Sequence, residues 1–313
     1  MPRGESAERA GSASARLPPA ARTRGRAWEA GLWWFLAPAA LVIFVVIVLP
    51  VGYALSLSLY DYNIMRMTDR FVGFDNYLKI IHDADFGWAT LRTFTYVFVV
   101  IAADFVYGFS TALLAWQLPL GWSRLFRAIV ILPMLLIPSA AAMLWRSVIY
   151  TPPFGVFNQV FGLPMSFSML ASPDTSLFGI ILTAVWGWSP WVFLLLLVGL
   201  EGLPVEPLEA AKIDGATFRQ VIWHIILPMM RPVIVVTLSL KAIDSFLSFT
   251  YPWVMTQGGP GGSSHLLSTY IYERAFALLD YGYGASLGVV MMLIALASST
   301  AFALYGARKG LLQ

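Results

Sequence analysis

Apolar residues gather into six long runs along this chain: Leu32–Leu59, Thr93–Trp116, Ala128–Trp145, Leu177–Leu200, Pro232–Tyr251 and Ala285–Tyr305. Charged or turn-forming residues bound each run. Crossing a hydrocarbon layer of roughly 30 Å takes about 20 apolar residues in helical form, so the pattern predicts six transmembrane helices. The runs are too long and too evenly apolar for the alternating strands of a membrane barrel. The expected fold class is therefore all-α, a polytopic helical membrane protein. Composition agrees, because 313 residues that are 58% hydrophobic and 12% charged carry more apolar surface than a water-soluble core absorbs. The mean hydropathy is +0.72.

Residues 1–28 are rich in Arg, Ala, Ser, Gly and Pro without apolar periodicity and read as a disordered cytoplasmic tail, ahead of a six-helix domain over 29–313. The first apolar run is longer than a signal-peptide core, which argues against cleavage. Lys and Arg set the orientation. Arg16, Arg22, Arg24 and Arg26 precede the first span, Arg124 and Arg127 lie in the second loop, and Lys212, Arg219 and Arg231 lie in the fourth. Alternate loops dilute their cations with Asp or, from Ser147 to Ser176, carry none. Both termini are expected in the cytoplasm, with the chain multi-pass in the membrane. The pI near 9.1 needs no nucleic-acid partner, since the cations sit beside apolar spans. There is no cysteine, and His82, His224 and His265 are too scattered for a metal site.

The fourth loop, about 203–231, carries the sharpest pattern. Pro207 suits a first helical turn, Glu209 lies where the helix dipole favours a carboxylate, and Gly215 can take the left-handed conformation that ends a helix. Phe218, Val221, Ile222 and Ile225 then form an apolar stripe, with Pro228 expected to stop the second helix. On these features alone the hairpin is either an interfacial amphipathic element or a docking surface.

Glu209-Ala210-Ala211, three residues, Gly215, nine residues and Ile225-Ile226-Leu227-Pro228 reproduce in spacing the EAA loop of binding-protein-dependent ABC importer permeases. Beyond the tail the chain is similar to their carbohydrate-uptake branch, the maltose and glycerol-phosphate type. The pieces are Leu36-Ala37-Pro38-Ala39, Phe71-Val72-Gly73-Phe74-Asp75-Asn76-Tyr77, Thr256-Gln257-Gly258-Gly259-Pro260, Tyr270-Ile271-Tyr272 and Tyr281-Gly282-Tyr283-Gly284-Ala285. The resemblance implies a type I ABC importer permease core that moves a sugar-like solute. It implies partnership with two copies of a cytoplasmic ATPase subunit, a second homologous permease and an extracytoplasmic binding protein. It also implies that Glu209, Ala210, Ala211, Asp214, Gly215, Ile225, Leu227 and Pro228 make the ATPase-coupling element.

Charge at bilayer depth costs at least about 2.5–3.5 kcal/mol on insertion scales, so Asp104, Lys241 and Asp244 need partners. Lys241 and Asp244 stand three apart on one face and either pair with each other or meet solute. Asp104 either reaches Lys241 across helices or contacts the companion subunit. Trp188 and Trp191 of the fourth span, with Asp244, Ser245 and Ser248 of the fifth, suit a sugar, because aromatic faces pack on C–H surfaces while Asp and Ser bond hydroxyls. Core packing is the alternative role for the tryptophans. The resemblance holds solute midway through the membrane between these spans, so the five residues are expected to line the pathway.

The chain has no GxxxxGK[ST] phosphate loop, so ATP and Mg are expected on the partner ATPase, with no cofactor bound by this chain and no catalysis by it. The rival is a proton-coupled secondary transporter using Asp104, Lys241 and Asp244 as a relay. An intramembrane enzyme is disfavoured, because no paired-carboxylate, HExxH or Ser/His/Asp arrangement is apparent.

Overall fold

The computed structural model describes residues 35–308, so the 1–28 tail lies outside the described residues. It divides into one unit that reaches to Tyr53 and another that begins at Ala54. The first holds most of α1 (Phe35–Leu57), with a mean hydropathy of 2.7. Phe44–Val48 widen into a π turn, closed by the Leu49 amide on the Phe44 carbonyl. Pro50, just beyond, has no amide to donate and its ring crowds the carbonyl one α-turn back, a conflict that a wider turn relieves.

The second unit opens with a hairpin that the apolar pattern does not foretell. Strand β1 (Tyr60–Asn63) pairs antiparallel with β2 (Thr68–Phe71), Tyr60 facing Phe71 and Asn63 facing Thr68. Helix α2 (Asp75–His82) follows. Its buried Asn76 donates to the carbonyls of Ser58 and Tyr60, both at 2.9 Å, and so ties helix to strand.

Helix α3 (Ala84–Gln117) begins nine residues before the expected Thr93, because Asp83 caps it by accepting from the amides of Asp85 and Phe86. The third span departs from expectation more strongly. In place of one helix over Ala128–Trp145, α4 (Leu120–Ile131) runs through a 3-10 turn to Leu135, and α5 (Pro138–Leu144) runs through a π turn to Ile149, the two bent by 93°. Proline causes the break. Ile137 precedes Pro138 and is forced to extended backbone at ψ 132, and Pro138 suits the first turn of a new helix.

Short α6 (Val156–Phe161) leads to α7 (Ser176–Glu201), then α8 (Glu206–Ile213) and α9 (Phe218–Val221). The fifth span is α10 (Arg231–Phe246) and α11 (Thr250–Thr256). Helices α12 (Leu267–Tyr272) and α13 (Tyr281–Arg308) complete the described chain. Among the described residues five helices are long and apolar enough to cross a membrane, six if the bent pair counts as one span.

Helices α3 and α7 form the centre. At Gly108 a methyl group would come within 2.9 Å of Val192 Cγ1 and 3.0 Å of the Phe193 nitrogen. Helix association in lipid rests on packing rather than water exclusion, so a small residue at such a crossing sets the approach. One apolar cluster joins Tyr96, Val100, Ile180, Ala184 and Phe246. A second joins Phe109, Leu113, Val192, Leu196 and Leu200 to Leu208 of α8 and to Ile226.

Near the β-hairpin, Asp83 accepts hydrogen bonds from Tyr270, at 2.6 Å, and from Tyr283. One carboxylate thereby joins α3, α12 and α13. Burial raises its pKa, but the bonds from both phenols and the Phe86 amide, with the charge of Arg274, outweigh burial and hold Asp83 below its ordinary value.

Replacing Gly108 by Leu is expected to lower stability by about 1–3 kcal/mol through overpacking, read as thermal unfolding in detergent. The depressed Asp83 value makes the clamp complete above the unfolded-state pKa of about 3.9 and progressively lost as pH falls through the lower folded-state value. Wild type should therefore lose melting temperature over that acidic window more steeply than Asp83→Asn, and should exceed the variant at neutral pH.

Candidate functional site

Two regions carry the candidate chemistry, and the first is the hairpin of α8 and α9. Helix α8 ends where Gly215 takes φ +73. The Gly215 amide bonds the Lys212 carbonyl at 3.2 Å and the Ala216 amide the Ala211 carbonyl at 2.9 Å, the paired closure of a left-handed helix end. Thr217 and Gln220 then form a reciprocal capping box that starts α9. Pro228 does not stop the second helix as expected. Ile222–Ile226 form a π turn, and helix resumes over Leu227–Met229, with the Met230 amide bonding Ile226. The proline is absorbed as it is before Pro50.

The hairpin has two faces. Glu209, Ala210, Asp214 and Gly215 are exposed, whereas Ala211 and Leu208 are buried. Ile225, Leu227 and Pro228 are half-buried, and Ile225 and Leu227 pack on the cluster of Val192, Leu196 and Leu200. Ile213, which the sequence reading passed over, is 86% exposed at the tip. Its signal was an apolar residue that breaks the charged run Lys212–Asp214. Behind the hairpin lies a mainly apolar cavity of about 470 Å³, lined by Trp116, Leu208, Lys212, Phe218 and Ile226.

The second region lies between α3, α7 and α10. Asp104 has no exposed surface, Lys241 is 3% exposed, and their charged atoms stand 3.3 Å apart. Lys241 also donates to Asp244 at 3.2 Å, so both pairings considered from the sequence occur together. Its ammonium lies 5.4 Å from the Trp188 ring centroid. Neither Asp104 oxygen accepts a hydrogen bond, so its contact with Lys241 is an ion pair. The Asp244 side chain, by contrast, is 50% exposed.

Trp188, Asp244, Ser245 and Ser248 meet around a cavity of about 120 Å³, which Tyr96, Phe249 and Tyr251 also line. Trp191 does not line it. One turn along α7, it packs on the cluster around Val192 and Leu196. The Tyr96 and Ser248 hydroxyls bond each other at 2.9 Å, whereas the buried Ser245 hydroxyl has no hydrogen-bond partner. A buried hydroxyl without a partner is costly unless something fills its valence. Tyr96 escaped the sequence reading because it reads as one more aromatic in an apolar run.

Replacing Lys241 by Met strands the Asp104 carboxylate and is expected to cost about 3–5 kcal/mol. The double change Asp104→Leu with Lys241→Met should recover most of that loss, measured as thermal unfolding in detergent.

Residues 90–309 match the family model for a binding-protein-dependent transport system inner membrane component. The chain is 32% identical over 265 residues to the trehalose/maltose transport system permease protein MalF of Thermococcus litoralis, covering 83% of this chain and 88% of that protein. Its fold resembles a chain of a bacterial alginate ABC transporter in complex with an alginate pentasaccharide-bound periplasmic protein, at TM-score 0.78 and 21% identity, covering 92% of this chain and 96% of that one. A second such structure, of a transporter involved in the import of the acidic polysaccharide alginate, gives 0.77 at 21% identity, covering 93% and 99%.

Proposed function

The chain belongs to the family of binding-protein-dependent transport-system inner membrane components, and from that premise we propose that it supplies one wall of the solute pathway in an ATP-driven importer of a sugar-like compound. It is a permease subunit embedded in the inner membrane, a transporter component rather than an enzyme. The observation that carries the reading is the convergence of Trp188, Asp244, Ser245 and Ser248 on one cavity between the spans that flank the hairpin. An aromatic face beside a carboxylate and hydroxyls is the set of contacts a sugar needs. Nothing in the relatives supports the proton-coupled alternative.

The cavity of about 120 Å³ is well below the roughly 300–1,000 Å³ of ordinary ligand pockets. This supports a second, homologous permease facing this one and completing the site. Two copies of a cytoplasmic ATPase then bind ATP and Mg, and solute arrives from an extracytoplasmic binding protein. In this arrangement both termini are cytoplasmic, as the Lys and Arg distribution requires. Glu209, Ala210, Asp214 and Gly215, with Ile213 at the tip, meet the ATPase. Ala211, Ile225, Leu227 and Pro228 act from behind by holding the hairpin to the bundle. Leu208 and Ile226 share a core with Leu196 and Leu200 of α7, so a push on the hairpin is delivered to the helix that carries Trp188.

In a reconstituted complex, Ile213→Asp or Glu209→Lys should abolish the rise in ATP turnover caused by solute-loaded binding protein, while Ile213→Leu retains it. Wild-type stimulation in both disruptive variants would remove the hairpin from the coupling role.

A further inference from the structure

The relatives do not settle the charge of the cargo, since the printed names include trehalose/maltose and the acidic polysaccharide alginate. The cavity does bear on it. Among the described residues that line it, Lys241 is the single cation, and Asp104, Asp244 and the Trp188 face already engage its ammonium. At 3% exposure, that ammonium is not presented to an incoming solute. The charge the wall does present is Asp244, half exposed. With both carboxylates ionised, Asp104, Lys241 and Asp244 sum to minus one, so the wall offers an anion no net positive charge.

We propose that this wall selects against anionic solutes, so that the importer carries an uncharged polyhydroxy compound; the inference rests on the reading that this cavity lies on the solute's route. A sugar hydroxyl donates to the outer side of Asp244, and the ring's C–H face lies on Trp188. A carboxylate, sulfonate or phosphate gives up its water there, meets only neutral hydroxyl donors and is repelled by Asp244. Asp244 is the specificity residue. Asp104 is the positioning residue that keeps Lys241 turned away.

The test uses the purified importer with its companion permease and ATPases but without the binding protein, so that discrimination reports the membrane site. Weak binding is read by saturation-transfer NMR for trehalose and maltose and for each sugar with one primary alcohol oxidised to a carboxylate. The neutral member of each pair should bind at least about tenfold more tightly than its uronate, as a unit charge at short range in a partly desolvated site dictates. Asp244→Asn, isosteric at a half-exposed position, should narrow that ratio. Equal or tighter binding of the uronates to wild type overturns charge selection alone. Binding of neither member, or neutral-sugar binding indifferent to both Asp244→Asn and Trp188→Ala, overturns instead the pathway reading beneath it.

Discussion

A carboxylate with no exposed surface and an ammonium almost as deeply buried do not persist unpaired in hydrocarbon, and the contact between Asp104 and Lys241 therefore fixes α10 against α3. The remaining polar features near mid-membrane follow from that anchor. With Lys241 held, Asp244 one turn on is drawn to its free side and Trp188 of α7 covers the ammonium. Ser245 and Ser248 then fall on the same cavity as Tyr96. Burial costs separate the cluster into an inner pair that orders helices and an outer carboxylate that remains accessible.

The proposed coupling role of the hairpin rests on a different kind of contact. The cluster of Val192, Leu196 and Leu200 takes in Leu208 and Ile226, so the hairpin belongs to the core of the bundle rather than hanging from it as a loop. The left-handed turn at Gly215 and the capping box at Thr217 hold the two hairpin helices at a set angle. The π turn at Ile222–Ile226 lets helix continue past Pro228 almost to α10. Exposed residues at the tip and buried residues beneath it thus belong to one continuously packed element.

Much of this was legible because membranes simplify the physics. Apolar run length located the helices, and the spacing from Glu209 to Pro228 located the hairpin. The errors share a cause, which is that hydropathy ignores local backbone geometry. It ran the third span straight through Pro133 and Pro138, and it started α3 at Thr93 because Asp85 and Arg92 interrupt the apolar run, although the Asp83 cap begins the helix earlier. Residue type also could not separate neighbours one turn apart, so Trp188 and Trp191 looked alike although only the first reaches the cavity. Tyr270 and Tyr283, carried in the sequence by loosely informative Tyr-rich segments, turn out to meet at Asp83. Such a long-range convergence leaves no periodic trace.

The separation of Asp244 from the Asp104–Lys241 pair has an evolutionary consequence. Asp104 and Lys241 constrain each other, since losing either leaves a stranded charge, and a lineage changing one must soon change both. Asp244 is half exposed and carries no such debt. If Asp244 sets the cargo as proposed, descendants of this chain can drift from one cargo to another by single steps there, each intermediate still folded, while the scaffold around the buried pair stays put.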